Sequence, residues 1–261
     1  MKKISVWVIV FLFATPLAFF QGCAAEKVSI KIEKSLPQSK LAHYNDSFDK
    51  LRDDIWDKAA LLAEEAQSSN FKAAEMTIEN GQLKIVTKTG CFSKGALAPR
   101  YAIRGDFDVQ VDCHIDFLDR AHDMDQYLCF VVHEVGKDWK DINSAMIGVR
   151  EIEGPNERVI YSACIQKGVY LHGNKYSIRN FHGSLRIVRI GNKASTYYKR
   201  EGKTEWKKME TFRFTKNDVG CGFLLQNFIM RRESITARSP VQARFDNFRI
   251  NAAQEIIEEE I

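Results

Sequence analysis

Residues 107 to 117 alternate without a break. Phe107, Val109, Val111, Cys113, Ile115 and Phe117 are apolar, and Asp108, Gln110, Asp112, His114 and Asp116 lie between them. Successive side chains of a strand point to opposite faces, so this pattern gathers the apolar groups on one face, where a helix would scatter them. Strands are predicted in the same way at 83–86, 126–135, 144–152, 158–166, 185–190, 195–199, 206–214, 221–228 and 243–250. Turn signals fall between them at Asn80-Gly81, Gly154-Pro155-Asn156, His172-Gly173-Asn174, Gly191-Asn192 and Glu201-Gly202. Roughly eleven or twelve strands cannot hide their apolar faces in one open layer, so an all-β antiparallel sandwich of two sheets is expected.

Two regions depart from this period. Phe48, Leu51, Ile55, Ala59, Leu62 and Ala66 recur at helical intervals behind Asp46 and Ser47. They predict an N-terminal helix over 44–69 that packs on the sandwich. The alternative is an irregular lead-in with Trp56 plugging the core. Residues 252–261 read as an acidic, frayed tail.

The chain opens with Lys2 and Lys3 followed by an almost unbroken apolar run to Phe20, the pattern of a signal peptide over residues 1–22. Phe20-Gln21-Gly22-Cys23 resembles a bacterial lipobox, which implies lipidation of Cys23 and a membrane-held, exported protein of the cell envelope. Ala24 behind the cysteine implies the outer membrane, with the domain facing the periplasm or the surface. Phe20 and Gln21 depart from the motif, so cleavage near Ala24 and an uncleaved anchor stay open. Residues 23–43 contain Pro37 and several lysines and read as a tether; the sandwich then occupies 44–251.

Composition adds exclusions. The 38 Lys and Arg against 34 Asp and Glu include Lys2 and Lys3, which leaves the mature chain nearly neutral and gives no reason to expect nucleic acid. Cys91, Cys113, Cys129, Cys164 and Cys221 show no CxxC spacing, and most sit in strand patterns, as small apolar core groups.

Three stretches taken together carry a family resemblance: Gly105-Asp106-Phe107-Asp108-Val109-Gln110-Val111; residues 185–191 with Tyr197, Tyr198 and Trp206; and Phe245-Asp246-Asn247-Phe248-Arg249-Ile250. Over about residues 70–251 the chain resembles the concanavalin A-like lectin/glucanase superfamily, in particular its uncharacterised bacterial members. The resemblance implies a jelly roll with ligands bound on one sheet face or its rim loops, and glycans as partners.

The chemistry within that frame is sparse. A retaining glycosidase needs two facing carboxylates about 5–5.5 Å apart. Glu151-Ile152-Glu153 is the nearest candidate, and it reads as a strand end running into solvent; Glu134 and His133 are further catalytic candidates. Asp119, Asp123 and Asp125 offer oxygen ligands that suit Ca²⁺ on a loop, at a spacing that matches no EF-hand. Alternation sets Asp112, His114, Tyr127, His133, Arg150 and Gln226 outward. If their strands neighbour one another they form a polar, aromatic surface suited to sugars, with Trp139 at the rim and Tyr170 and Tyr176 adding from another loop. Non-catalytic carbohydrate binding or surface adhesion is therefore expected. The alternatives are a glycan-cleaving enzyme and a structural envelope lipoprotein that binds another protein.

Overall fold

The computed structural model describes residues 30–58, 71–117, 125–138, 140–152, 157–228 and 239–258. Among the described residues a short α-helix, α1 (Gln38–Leu41), followed by a 3-10 turn at Ala42–Tyr44, precedes the strands. These are β1 (Trp56–Lys58), β2 (Phe71–Ala73), β3 (Glu75–Glu79), β4 (Gln82–Val86) and β5 (Phe92–Pro99). The central group is β6 (Tyr101–Phe117), β7 (Asp125–Glu134), β8 (Ser144–Ile152), β9 (Glu157–Gln166) and β10 (Val169–Ser177). β11 (Phe181–Ile190), β12 (Lys193–Arg200), β13 (Lys207–Arg213), β14 (Val219–Phe228) and β15 (Val241–Glu258) complete the series.

Pairing sorts the strands into two layers. The first runs β10-β9-β8-β7-β14-β5, with β1 and β2 on the far side of β5. The second runs β3-β4-β15-β6-β11-β12-β13. The layers touch in register at one residue pair, Val219 with Ile103, where β14 meets the start of β6. The result is an antiparallel jelly-roll sandwich; the parallel β2–β5 pair is the exception.

The alternating residues of β6 do what their period demands. Phe107, Val109, Val111, Cys113 and Ile115 are at most 1% exposed. They share the core with Leu128, Phe130 and Val132 of β7, Ile147 and Val149 of β8, and Phe223 and Leu225 of β14. Burying each such side chain contributes about 1.5–3 kcal/mol. Trp56 lies edge-on to Phe223 (5.4 Å) and Phe248 (5.0 Å), and Phe223 stacks on Phe245 at 4.4 Å. The β3–β4 hairpin turns through Asn80 and Gly81, both at positive φ (54° and 70°), as Asn-Gly favours.

The N-terminal helix expected over 44–69 does not form at 44–58; residues 59–69 lie outside the described residues. Asp46 is drawn to the sandwich instead, exchanging backbone bonds with Phe248. Its carboxylate accepts from Phe48 N (2.8 Å) and Trp56 Nε1 (2.7 Å). Phe48 adopts φ 55°, which ends any helix there, and its side chain is fully buried. The apolar spacing that mimics a helix comes from an irregular lead-in that inserts Phe48, Ile55 and Trp56 into the core.

Three other boundaries change. Residues 30–43, expected as a tether, lie on the sandwich: Leu36 N donates to Ala253 O at 2.7 Å, and Ile32 and Leu41 are buried. The expected acidic tail is strand as far as Glu258, because β15 stays paired with β6 through Glu258 and Tyr101. The turn expected at His172-Gly173-Asn174 is a register shift inside β10. The chain reverses earlier, through Lys167 (φ 48°) and Gly168 (φ 75°).

Candidate functional site

Each layer has an outer face, and the cross-strand register shows which side chains share it. On the first layer, Lys94, Gln226, Tyr127, Arg150 and Val159 form one row across β5, β14, β7, β8 and β9. The next row holds Ala96, Leu224, Cys129, Gly148, Tyr161 and Lys175. Two rows further on come Gly220, His133, Ser144, Ile165 and Tyr170. Gln226, Tyr127 and Arg150 are therefore immediate neighbours. His133 shares their face six residues further along β7, roughly 20 Å away.

The row around Tyr127 is polar and aromatic. Gln226 Nε2 donates to Tyr127 Oη. Tyr161 crosses to place its Oη 2.7 Å from Cys129 Sγ. Burial pushes the Cys129 thiol up to about 12, against the lowering effects of Tyr161 and Arg150, so the thiol stays protonated. Burial likewise raises Tyr161, and it takes Tyr170 to about 12. The Tyr170 and His172 rings meet edge-on at 4.7 Å. His133 lies with its ring against Gly220, and burial pushes its pKa down, which keeps it neutral. Cys129, Val159, Tyr161 and Ala163, with Tyr127 and Met146 packed on them, form an apolar patch under these polar tips.

Asp112 and His114 do not join this surface. They belong to β6, at the centre of the second layer, and face out on the opposite side of the sandwich. Ser184 Oγ donates to Asp112 at 2.5 Å. His114 stacks on His182 at 4.7 Å, and Asp116 meets both His182 (3.3 Å) and Arg244 (3.1 Å). Asp108, nearby, is held by both arms of Arg186 at 2.7 and 2.5 Å. Arg186 and Arg244 of this second face are thus each paired with a carboxylate.

The catalytic candidates do not assemble. Glu151 is not at a solvated strand end: it is 1% exposed on the inner side of β8, paired with Arg158 at 3.3 Å. Glu134 accepts from Asn143 (2.6 Å) and Asn217 at the other end of β7. Glu151 lies opposite Gln126, so about 27 Å of strand separates the two carboxylates. On the outer face of the first layer, the described carboxylates are Asp57 and Glu157, at opposite margins. Asp57 meets Arg100 at 3.5 Å, and Glu157 accepts from Lys175 and Ser177, each at 3.1 Å. Five strand spacings, roughly 24 Å, lie between them. Neither pair approaches the separation that glycoside hydrolysis requires. Trp139, Asp119, Asp123 and Cys23 fall outside the described residues, as does the side chain of Asp125. Among the described residues, no group of three or more His, Cys, Asp or Glu could hold a metal ion.

No protein-family profile matches the sequence, and no curated protein matches it. Solved structures do. A chain from work on endo-acting O-glycanases, with which prominent human gut microbiota initiate mucin breakdown, aligns with TM-score 0.54 and 11% identity over 82% of this chain and 98% of its own. Bacillus licheniformis β-glucanase aligns with TM-score 0.53 and 12% identity, over 84% and 99%. The Emp47p carbohydrate recognition domain aligns with TM-score 0.51 and 13% identity, also over 84% and 99%. The chain shares the jelly-roll sandwich fold of these structures.

Within this sandwich, sequence reasoning missed Tyr161, Lys94 and Lys175 and placed Tyr170 on a loop. Tyr161 has the opposite parity to the core residue Ile160, a signal that was present. Its reach to Cys129 depends on Gly148 lying between them, which only the register reveals. Lys94 sits on β5, whose Gly95, Ala96 and Pro99 give weak strand signals.

Proposed function

We propose that this chain is an exported, lipid-anchored carbohydrate-binding protein that takes its glycan on the outer face of the first layer, around Gln226, Tyr127, Arg150 and Tyr161. One observation carries the reading. That face combines phenols, an amide and a guanidinium over an apolar patch, and its described carboxylates stand too far apart to cleave a glycosidic bond together. Sugars need both halves of such a surface: hydrogen-bonding groups for their hydroxyls and apolar area for their C–H faces. The glycanases and the carbohydrate recognition domain that share the fold support a glycan ligand. The Phe20-Gln21-Gly22-Cys23 motif behind an apolar leader supports anchoring to the outer membrane through Cys23.

Isothermal titration against a panel of plant, algal and bacterial oligosaccharides tests the ligand. Binding that is lost in Tyr127→Ala and kept in His114→Ala places the site on the first layer. The reverse pattern, or no binding across the panel, refutes it. For the anchor, Cys23→Ser is expected to move the protein from the membrane fraction to the soluble one, with loss of the acyl mass.

A further inference from the structure

The outer face of the first layer carries cations on its inner strands and carboxylates at its margins. Lys94 on β5 and Arg150 on β8 flank Gln226 and Tyr127 in a single row. Three strand spacings put their backbones about 14 Å apart. Lys175 joins them from β10, next to Tyr161 in the neighbouring row. The described carboxylates are already engaged, Asp57 with Arg100 and Glu157 with Lys175 and Ser177. Lys94 and Arg150 also keep interactions within the chain. A guanidinium with five N–H donors and an ammonium with three can hold such a partner and still take a second.

The field of Arg150 reaches the middle of this surface. Burial drives both Cys129 and Tyr170 upward in pKa, and the Arg150 charge pulls against it at each. On the opposite wall Arg186 is held by Asp108, and Arg244 and His182 by Asp116. A ligand laid across the strands of the first layer meets a cation, an amide, a phenol and a second cation in turn.

We infer that the glycan taken here is acidic, its carboxylate or sulfate groups paired with Arg150 and Lys94 while Tyr127, held by Gln226, meets its hydroxyls and ring. This rests on the carbohydrate reading above and narrows it to one class of sugar. Planar guanidinium donors favour carboxylates and sulfates alike, so the anion itself is left to the measurement.

The test is calorimetric titration of the mature chain with polygalacturonate, dextran sulfate and neutral dextran, in salt from roughly 0.01 to 0.5 M. Binding is expected to one of the polyanions and not to dextran, weakening with salt; the polyanion that binds identifies the group. Arg150→Gln and Lys94→Gln should each weaken it, Arg150→Gln by about tenfold or more. Arg244→Gln, on the opposite wall, should leave it unchanged. The melting temperature of each variant shows that the fold is intact, and Lys94→Gln carries the test should Arg150→Gln fail to fold. Salt-insensitive binding of a neutral glucan, lost in Tyr127→Ala and kept in Arg150→Gln, would overturn the acidic class and leave carbohydrate binding standing. Equal losses in Arg150→Gln and Arg244→Gln would also overturn it, by showing unspecific charge attraction. Binding to none of the polymers or oligosaccharides sinks both.

Discussion

Tyr161 on β9 reaches Cys129 on β7 by passing over Gly148, the residue that lies between them on β8. Any side chain at 148 would occupy the path of the phenol. The backbone is also too close for one, since an added Cβ would run into the Leu128 carbonyl. Gly148 thus lets an aromatic side chain cross the candidate ligand face. Gly148→Ala is expected to cost more than the roughly 1–3 kcal/mol of ordinary overpacking, because the clash is with backbone. Tyr161→Phe keeps the ring and removes one hydrogen bond, about 0.5–1.5 kcal/mol. Urea denaturation of the two variants separates these outcomes; equal and small losses would show that the crossing is not fixed.

The Arg186–Asp108 pair on the opposite wall is the most enclosed ion pair among the described residues, with side-chain exposures of 8% and 4%. Asn251 donates to the same carboxylate at 3.1 Å. Arg186→Met would leave Asp108 charged and buried with little compensation, a loss of about 3–5 kcal/mol. The double variant Arg186→Met, Asp108→Leu should recover much of that loss. Chemical denaturation of the single and double variants measures the difference.

Glu134 sets an acid-side dependence. Burial pushes its pKa up, but the amides of Asn143 and Asn217 and the Lys137 charge pull harder and hold it below the ordinary value of 4.5. The unfolded chain therefore binds a proton more readily than the folded one does. The contribution of Glu134 to stability is complete above the unfolded value and disappears as pH falls through the depressed native one. Glu134→Gln should flatten the acid limb of a stability profile taken from about pH 7 down to 3. An unchanged limb would assign the acid sensitivity to other carboxylates.

The docked N-terminal segment is predicted to be part of the folding unit. Leu41 is fully buried in the common core, beside the helix turn that Lys40 and Leu41 close onto Pro37. Leu41→Ala should cost about 2–5 kcal/mol, as a core truncation does. A thermal melt displaced by no more than that of an exposed substitution such as Lys40→Ala would show the segment to be an appendage.

How much of this was legible beforehand depended on whether a residue's surroundings lay near it in sequence. The inner faces of β6, β7, β8 and β14 follow from alternation alone, since parity is a local property. So does the outward direction of Tyr127, Arg150 and Gln226, and these prove to be neighbours. Asp112 and His114 have the same outward parity, but parity does not say which layer a strand joins. The apolar spacing of 48–66 imitates a helix, and what defeats it at 46–58 is a long-range partner, Phe248, about two hundred residues away. Glu151 looked like a strand end because Gly154-Pro155 follows; its burial depends on Arg158 folding back on the next strand.

The bond from Leu36 N to Ala253 O brings the early and late parts of the chain side by side along β15. A linker between the described segments at these two positions would therefore bridge only a short gap, and new ends could be opened at the exposed tip of the β11–β12 turn, Gly191-Asn192. A circularly permuted form of this kind would keep both walls of the sandwich intact. Display from either terminus would then present the tyrosine-bearing wall in two different orientations.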